Sequence, residues 1–182
     1  DRRDLVAAAE FLESEGLADG GRIALLGGSY GGYLMLMAMA KSPDFWAAGV
    51  CYYGFVDLEA FYRSTRDWIR QWIEFEIGSP KDNPDFYRRR SPINICSEIR
   101  APLLFLQGAN DPRITLEHSQ MLGEKLRNSD VEFRLRVYGD EGHGFAKEEN
   151  RVDAMGEVLD FLGRHLGIAE MRDAAGPGAA QG

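Results

Sequence analysis

The chain has 182 residues, 45% of them hydrophobic and 27% charged, with a formal net charge of −8. That length and balance fit one globular domain with a sizeable core, and the acidic charge argues against a nucleic-acid partner, which would need a basic patch. No apolar run reaches the ~18 residues of a membrane-spanning helix, so no membrane partner is expected.

In chain order, residues 4–15 place Leu5, Ala8, Ala9, Phe11 and Leu12 near helical spacing, with Gly16 as the stop. The run "RIALLG" (22–27) suits a strand buried on both faces. "YGGYLMLMAMAK" (30–41) is apolar throughout and rich in helix formers, and Ser42-Pro43 ends it. "AAGVCYYG" (47–54), "APLLFLQG" (101–108) and "EFRLRVYG" (132–139) read as three further strands. A helix over 115–128 is expected to turn Leu116, Met121, Leu122 and Leu126 inward. A last helix over 150–166 is expected to carry Val152, Met155, Val158, Leu159, Leu162 and Leu166 on one stripe. Strands alternating with helices give an α/β class with a parallel sheet, whose strand C-terminal ends share one rim. Segment 55–100 interrupts the alternation. Its Trp68, Ile69, Trp72, Ile73 and Phe75 predict an apolar helix face, either docked on the core or capping a site. Arg88-Arg89-Arg90 reads as a solvated face. Cys51 and Cys96 lack metal-type spacing and form no disulfide framework, which favours a cytoplasmic setting. The chain opens inside a helical pattern without an initiator Met, so it is expected to be the back part of a longer protein. The domain is expected over 1–167, followed by a disordered Ala/Gly-rich tail over 168–182.

The informative stretch is Gly27-Gly28-Ser29-Tyr30-Gly31, a G-x-S-x-G pattern between a predicted strand and a predicted helix. That context is the one a nucleophile elbow requires. Strand and helix cross closely there, so the positions two away from the serine must be tiny. The next amide, Tyr30, and the helix N-terminus then face a developing oxyanion. The dinucleotide and P-loop phosphate motifs do not match. A serine hydroxyl also needs a base, and the base an orienting acid. His143, in "GDEGHGF" after the fourth strand, is the expected base. His118 falls within a helix and is expected at the surface, and His165 suits a helix C-terminus. Asp111, directly after the third strand, is the expected acid. Asp57, after the second strand, is its rival, and Asp140 and Glu141 lie too near His143 to orient it easily.

With these residues assembled, "GGSYGGY" (27–33), "SPI" (91–93), "PLLFLQGANDPRI" (102–114) and "DEGHGF" (140–145) closely resemble the C-terminal α/β-hydrolase domain of the prolyl oligopeptidase family of serine peptidases, over about residues 1–167. Dipeptidyl and acylaminoacyl peptidases look nearest. The resemblance implies Ser29 as nucleophile, Asp111 as acid and His143 as base, acting on short peptides with no metal or organic cofactor. It suggests that Arg113 holds a substrate carbonyl and that Tyr53, Phe55 and Val56 line the pocket for the residue before the cut bond. It also implies an upstream β-propeller, early hydrolase strands and a second oxyanion donor outside this chain, leaving "RIALLG" as an apolar edge. A homo-oligomer stays open. So do a carboxylesterase on the same triad and a non-catalytic domain that kept the fold.

Overall fold

The computed structural model describes residues 2–168. The predicted tail, apart from Ile168, lies outside the described residues. Helix α1 (Arg2–Ser14) ends where Gly16 adopts φ 68°, a backbone conformation that costs glycine little. Strand β1 (Ala24–Gly28) leads into α2 (Tyr30–Lys41), and β2 (Ala48–Tyr52) follows. Three short helices come next: α3 (Leu58–Ser64), α4 (Asp67–Ile77) and α5 (Pro84–Arg89). Then come β3 (Leu103–Gly108), α6 (Leu116–Leu126), β4 (Phe133–Tyr138) and α7 (Glu148–His165).

The four strands pair in parallel in the order β1-β2-β3-β4, with Gly28 opposite Tyr52 and Gly108 opposite Tyr138. All three pairings are parallel, so every strand exits at the same rim. Helices cover both faces. Met35, Leu36 and Met39 of α2 and Leu122 and Leu126 of α6 pack with Leu103 and Phe105 on one face. Ala154, Val158 and Phe161 of α7 pack with Val50, Leu104 and Leu106 on the other. Cys51 lies fully buried beneath α2, and that burial pushes its thiol up to about 12.

The structure corrects several burial expectations. β1 is an edge strand among the described residues, as the resemblance implied, so it is not buried on both faces and Leu26 is 59% exposed. Phe11 and Leu12 of α1 face solvent, because the helix meets the core through Leu5, Val6 and the buried Ala9. On α7 the buried line runs through Ala154, Val158 and Phe161, whereas Val152, Met155 and Leu159 point outward. On α4, Ile73 is buried and Ile69 and Ile77 pack around it. Trp68, Trp72 and Phe75 are exposed.

Candidate active site

Ser29 stands between β1 and α2 at φ 56°, ψ −120°, a strained backbone for a residue with a Cβ. Its N–H donates to Tyr52 O at 3.0 Å, and its carbonyl accepts from Tyr33 N at 3.1 Å, so sheet and helix both fix the turn. A Cβ on Gly27 would lie 2.6 Å from the Gly31 carbonyl carbon, and one on Gly32 would lie 2.9 Å from Gly54 Cα. Glycine is therefore required at Gly27, where strand and helix cross, and at Gly32, where the helix meets the end of β2. A Cβ on Gly31, two residues after the serine and expected to be confined, would meet nothing within 4 Å. Tyr30 opens α2, which puts its amide at the positive end of the helix dipole.

The loop after β3 brings Asp111. Its Oδ1 accepts from Arg113 N (2.8 Å) and Ile114 N (3.0 Å), which closes the turn on the carboxylate. Gln107, wholly buried, donates to Gly108 O and Ile114 O and pins the same loop. The other oxygen, Oδ2, lies 2.7 Å from His143 Nδ1, and His143 Nε2 lies 3.1 Å from Ser29 Oγ. An ionised carboxylate can only accept. Nδ1 therefore carries the proton, and the Nε2 lone pair faces the serine hydroxyl. Burial works to raise the Asp111 carboxyl. The hydrogen bonds from His143, Ile114 N and Arg113 N outweigh it and hold the group below the ordinary carboxylate range.

The alternatives to this row have other work. Asp57 caps α3, its Oδ1 accepting from Glu59 N and Ala60 N. His118, expected at the surface, is 1% exposed; its Nδ1 accepts from Val56 N at 3.3 Å, and burial lowers its pKa. His165 stacks edge-on against Phe161 and lies 3.3 Å from the Glu132 carboxylate. Glu141, set aside in the sequence as too close to His143, does not touch the imidazole. It is buried and accepts from Ala146 N, Lys147 N and Asn150 Nδ2, so it straps the His143 loop to the start of α7. The two amides that Glu141 holds lie just before the first residue of α7, whose N-cap Lys147 makes no side-chain cap hydrogen bond.

The residues expected to line a pocket divide. Phe55 does so. A cavity of about 430 Å³ opens at Ser29, walled by Tyr30, Tyr33, Phe55, Phe61 and α4 residues Ile69, Trp72 and Ile73, with Glu76 and Arg90 also at its edge. Tyr33, Phe55 and Phe61 form a stack with centroid spacings of 4.5 and 4.4 Å. Thus α4 both docks on the core and walls the cavity. Tyr53 instead lies against the His143 ring at 4.5 Å, held at φ 39°. Val56 is wholly buried in the core, and its amide donates to His118 Nδ1. Arg113 contributes its backbone N–H to Asp111.

A parallel sheet flanked by helices, with a serine on a strand-to-helix elbow and an imidazole delivered from beyond the last strand, defines an α/β-hydrolase. The chain belongs to the prolyl oligopeptidase family, whose family model matches residues 1–169. It is 31% identical over 173 residues to dipeptidyl peptidase family member 6 of Caenorhabditis elegans, covering 90% of this chain and 23% of that protein. It is 30% identical over 169 residues to dipeptidyl aminopeptidase BIII of Pseudoxanthomonas mexicana, covering 90% of this chain and 24% of that one. Among solved structures, a puromycin-hydrolyzing peptidase of Mycobacterium tuberculosis superposes with a TM-score of 0.87 at 32% identity, over 91% of this chain and 25% of that chain. The chain thus spans about a quarter of the length of these relatives.

Proposed function

We propose that this chain carries the catalytic centre of a serine peptidase that hydrolyses short peptides through an acyl-enzyme. The observation that carries the reading is the unbroken row from Asp111 Oδ2 through His143 to Ser29 Oγ, at 2.7 and 3.1 Å. Ser29 Oγ attacks the peptide carbonyl carbon as its proton passes to His143 Nε2. The carbonyl oxygen becomes an oxyanion facing the Tyr30 amide. Collapse breaks the C–N bond, and Nε2 returns the proton to the departing amine. Water, deprotonated by the same nitrogen, then cleaves the ester and restores Ser29. Throughout, Asp111 holds the imidazole in the required tautomer and stabilises it when it is charged. The stacked aromatic wall beside Ser29 suits a large apolar side chain on the residue before the cut bond, and membership of a peptidase family supports an amide leaving group.

The test is covalent labelling of the full-length protein with a fluorophosphonate. Label should appear on Ser29 and vanish in Ser29→Ala, and peptide anilides ending in Phe should be turned over. Labelling with turnover of short acyl esters alone would make the protein an esterase. A folded protein that takes no label would be a non-catalytic hydrolase-like domain.

A further inference from the structure

Behind the partition formed by Tyr30 and Tyr33 lies a second cavity, of about 470 Å³. Its lining includes Arg2, Lys41, Arg89 and Arg90, and no carboxylate among the described lining residues. In an acidic chain this is unusual company. Arg63, Arg70, Arg88, Arg100, Arg134 and Arg136 each face an Asp or Glu. The four cations of the cavity form no ion pair with a described residue. Within the basic run 88–90, only Arg88 is a neutralised surface charge, paired with Asp85. Arg89 and Arg90 turn to the cavity, with Arg90 lying over the Phe86 ring at 5.3 Å.

The two cavities are continuous in their walls: Tyr30, Tyr33 and Arg90 line both. Burial raises the two phenols, and the Arg90 guanidinium in the shared wall acts in the opposite direction on each. A ligand that fills the Ser29 cavity can reach, past the shared Tyr30 wall, a region of positive charge that has no ion-pair partner among the described residues. The only anion an unmodified peptide carries is a carboxylate, and forked guanidinium groups match it.

Building on the peptidase reading above, we propose that this basic cavity is a second subsite that binds a carboxylate of the peptide substrate, either an Asp or Glu side chain or the α-carboxylate. It thereby selects acidic peptides for the Ser29 centre. Charge-assisted hydrogen bonds of this kind are worth enough to change binding by about tenfold. Because Lys41 and Arg89 are exposed, the effect is screened by salt.

The experiment uses the full-length protein and internally quenched peptides with Phe before the cut bond. A single Glu is moved through the flanking positions and compared with Gln at the same place, and a free C-terminus is compared with an amide. We expect at least one carboxylate to lower KM about tenfold with little change in kcat, and the advantage to fade with added salt. The double variant Lys41→Gln/Arg89→Gln should bring charged and neutral peptides to parity, and Lys41→Arg/Arg89→Lys should keep the preference. Parity already in the wild type, or a preference that survives the Gln variant, would overturn the proposal. Inhibition by inorganic phosphate that depends on Lys41 and Arg89, without any preference for a carboxylate peptide, would reassign the cavity to a free anion and likewise overturn it. If no peptide is cut and Ser29 takes no fluorophosphonate, the peptidase reading itself has failed. Label on Ser29 with parity among peptides would remove the subsite alone.

Discussion

At the scale of single residues, Asp111 has both oxygens committed, one to two backbone amides and one to the imidazole. Asp111→Asn preserves shape but offers Nδ1 a donor in place of an acceptor, so the imidazole proton moves to the nitrogen that faces Ser29. We expect kcat to fall about 10⁴-fold with the fold intact, measured by anilide turnover and circular dichroism. The same residue makes a statement about acid. Its carboxyl is depressed in the folded protein. It therefore contributes stability above its unfolded pKa, near 3.9, which is lost as pH falls through that value and the folded one. Melting temperature followed from pH 6 downward should fall more gently below about pH 4 in Asp111→Asn than in the wild type. The row Ser29, Asp111, His143 was legible in the sequence because chain order and strand-end position leave few candidates. The places of Tyr53, Val56 and His118 were not. Each depends on which side of a backbone a side chain emerges, and the positive φ of Tyr53 turns its ring onto His143 in a way no residue count shows.

At the scale of elements, the junction of β3 with the His143 loop is the tightest contact in the site outside the elbow. A Cβ on Gly108 would sit 2.6 Å from Glu141 O and 2.8 Å from its carbonyl carbon, both backbone atoms with no freedom to swing away. Gly108→Ala must push the loop that carries the imidazole. We expect a loss of about 1–3 kcal/mol from overpacking, read by urea denaturation. We also expect kcat/KM to fall on the order of 10²-fold, since displacements near 1 Å have that cost. Periodicity located every strand and the long helices, but it misjudged how they face the core. On α4 and α7 the apolar residues wrap most of the circumference. The stripe drawn through Val152, Met155, Val158, Leu159, Leu162 and Leu166 therefore took in the buried Val158 and the packed Leu162 but also the exposed Val152, Met155 and Leu159, and missed Ala154 and Phe161. Only the sheet beneath decides which line is buried.

At the scale of the molecule, alternation of strand and helix made the parallel sheet and its shared rim readable. The expectation that β1 would be left as an apolar edge came from the family resemblance instead. Among the described residues β1 is an edge, with Leu26 exposed on the same sheet face as Val50, its partner in register, and α7 shows Val152, Met155 and Leu159 to solvent. Unpaired strand edges of this kind template association. Expressed as these 182 residues, the protein should sediment increasingly as higher-order species as concentration rises. Leu26→Lys should suppress this without lowering Ser29 labelling per folded molecule. The order β1-β2-β3-β4 also means that the strands leading to the serine and to the imidazole are the two margins of the sheet among the described residues, three strand spacings or about 14 Å apart, and their loops must converge over the rim to bring Nε2 within 3.1 Å of Oγ. Chemistry at Ser29 is then a gauge of the whole sheet's closure: any splaying between adjacent strands parts the pair, so reactivity towards a phosphonate should vanish at lower denaturant than the helical signal does.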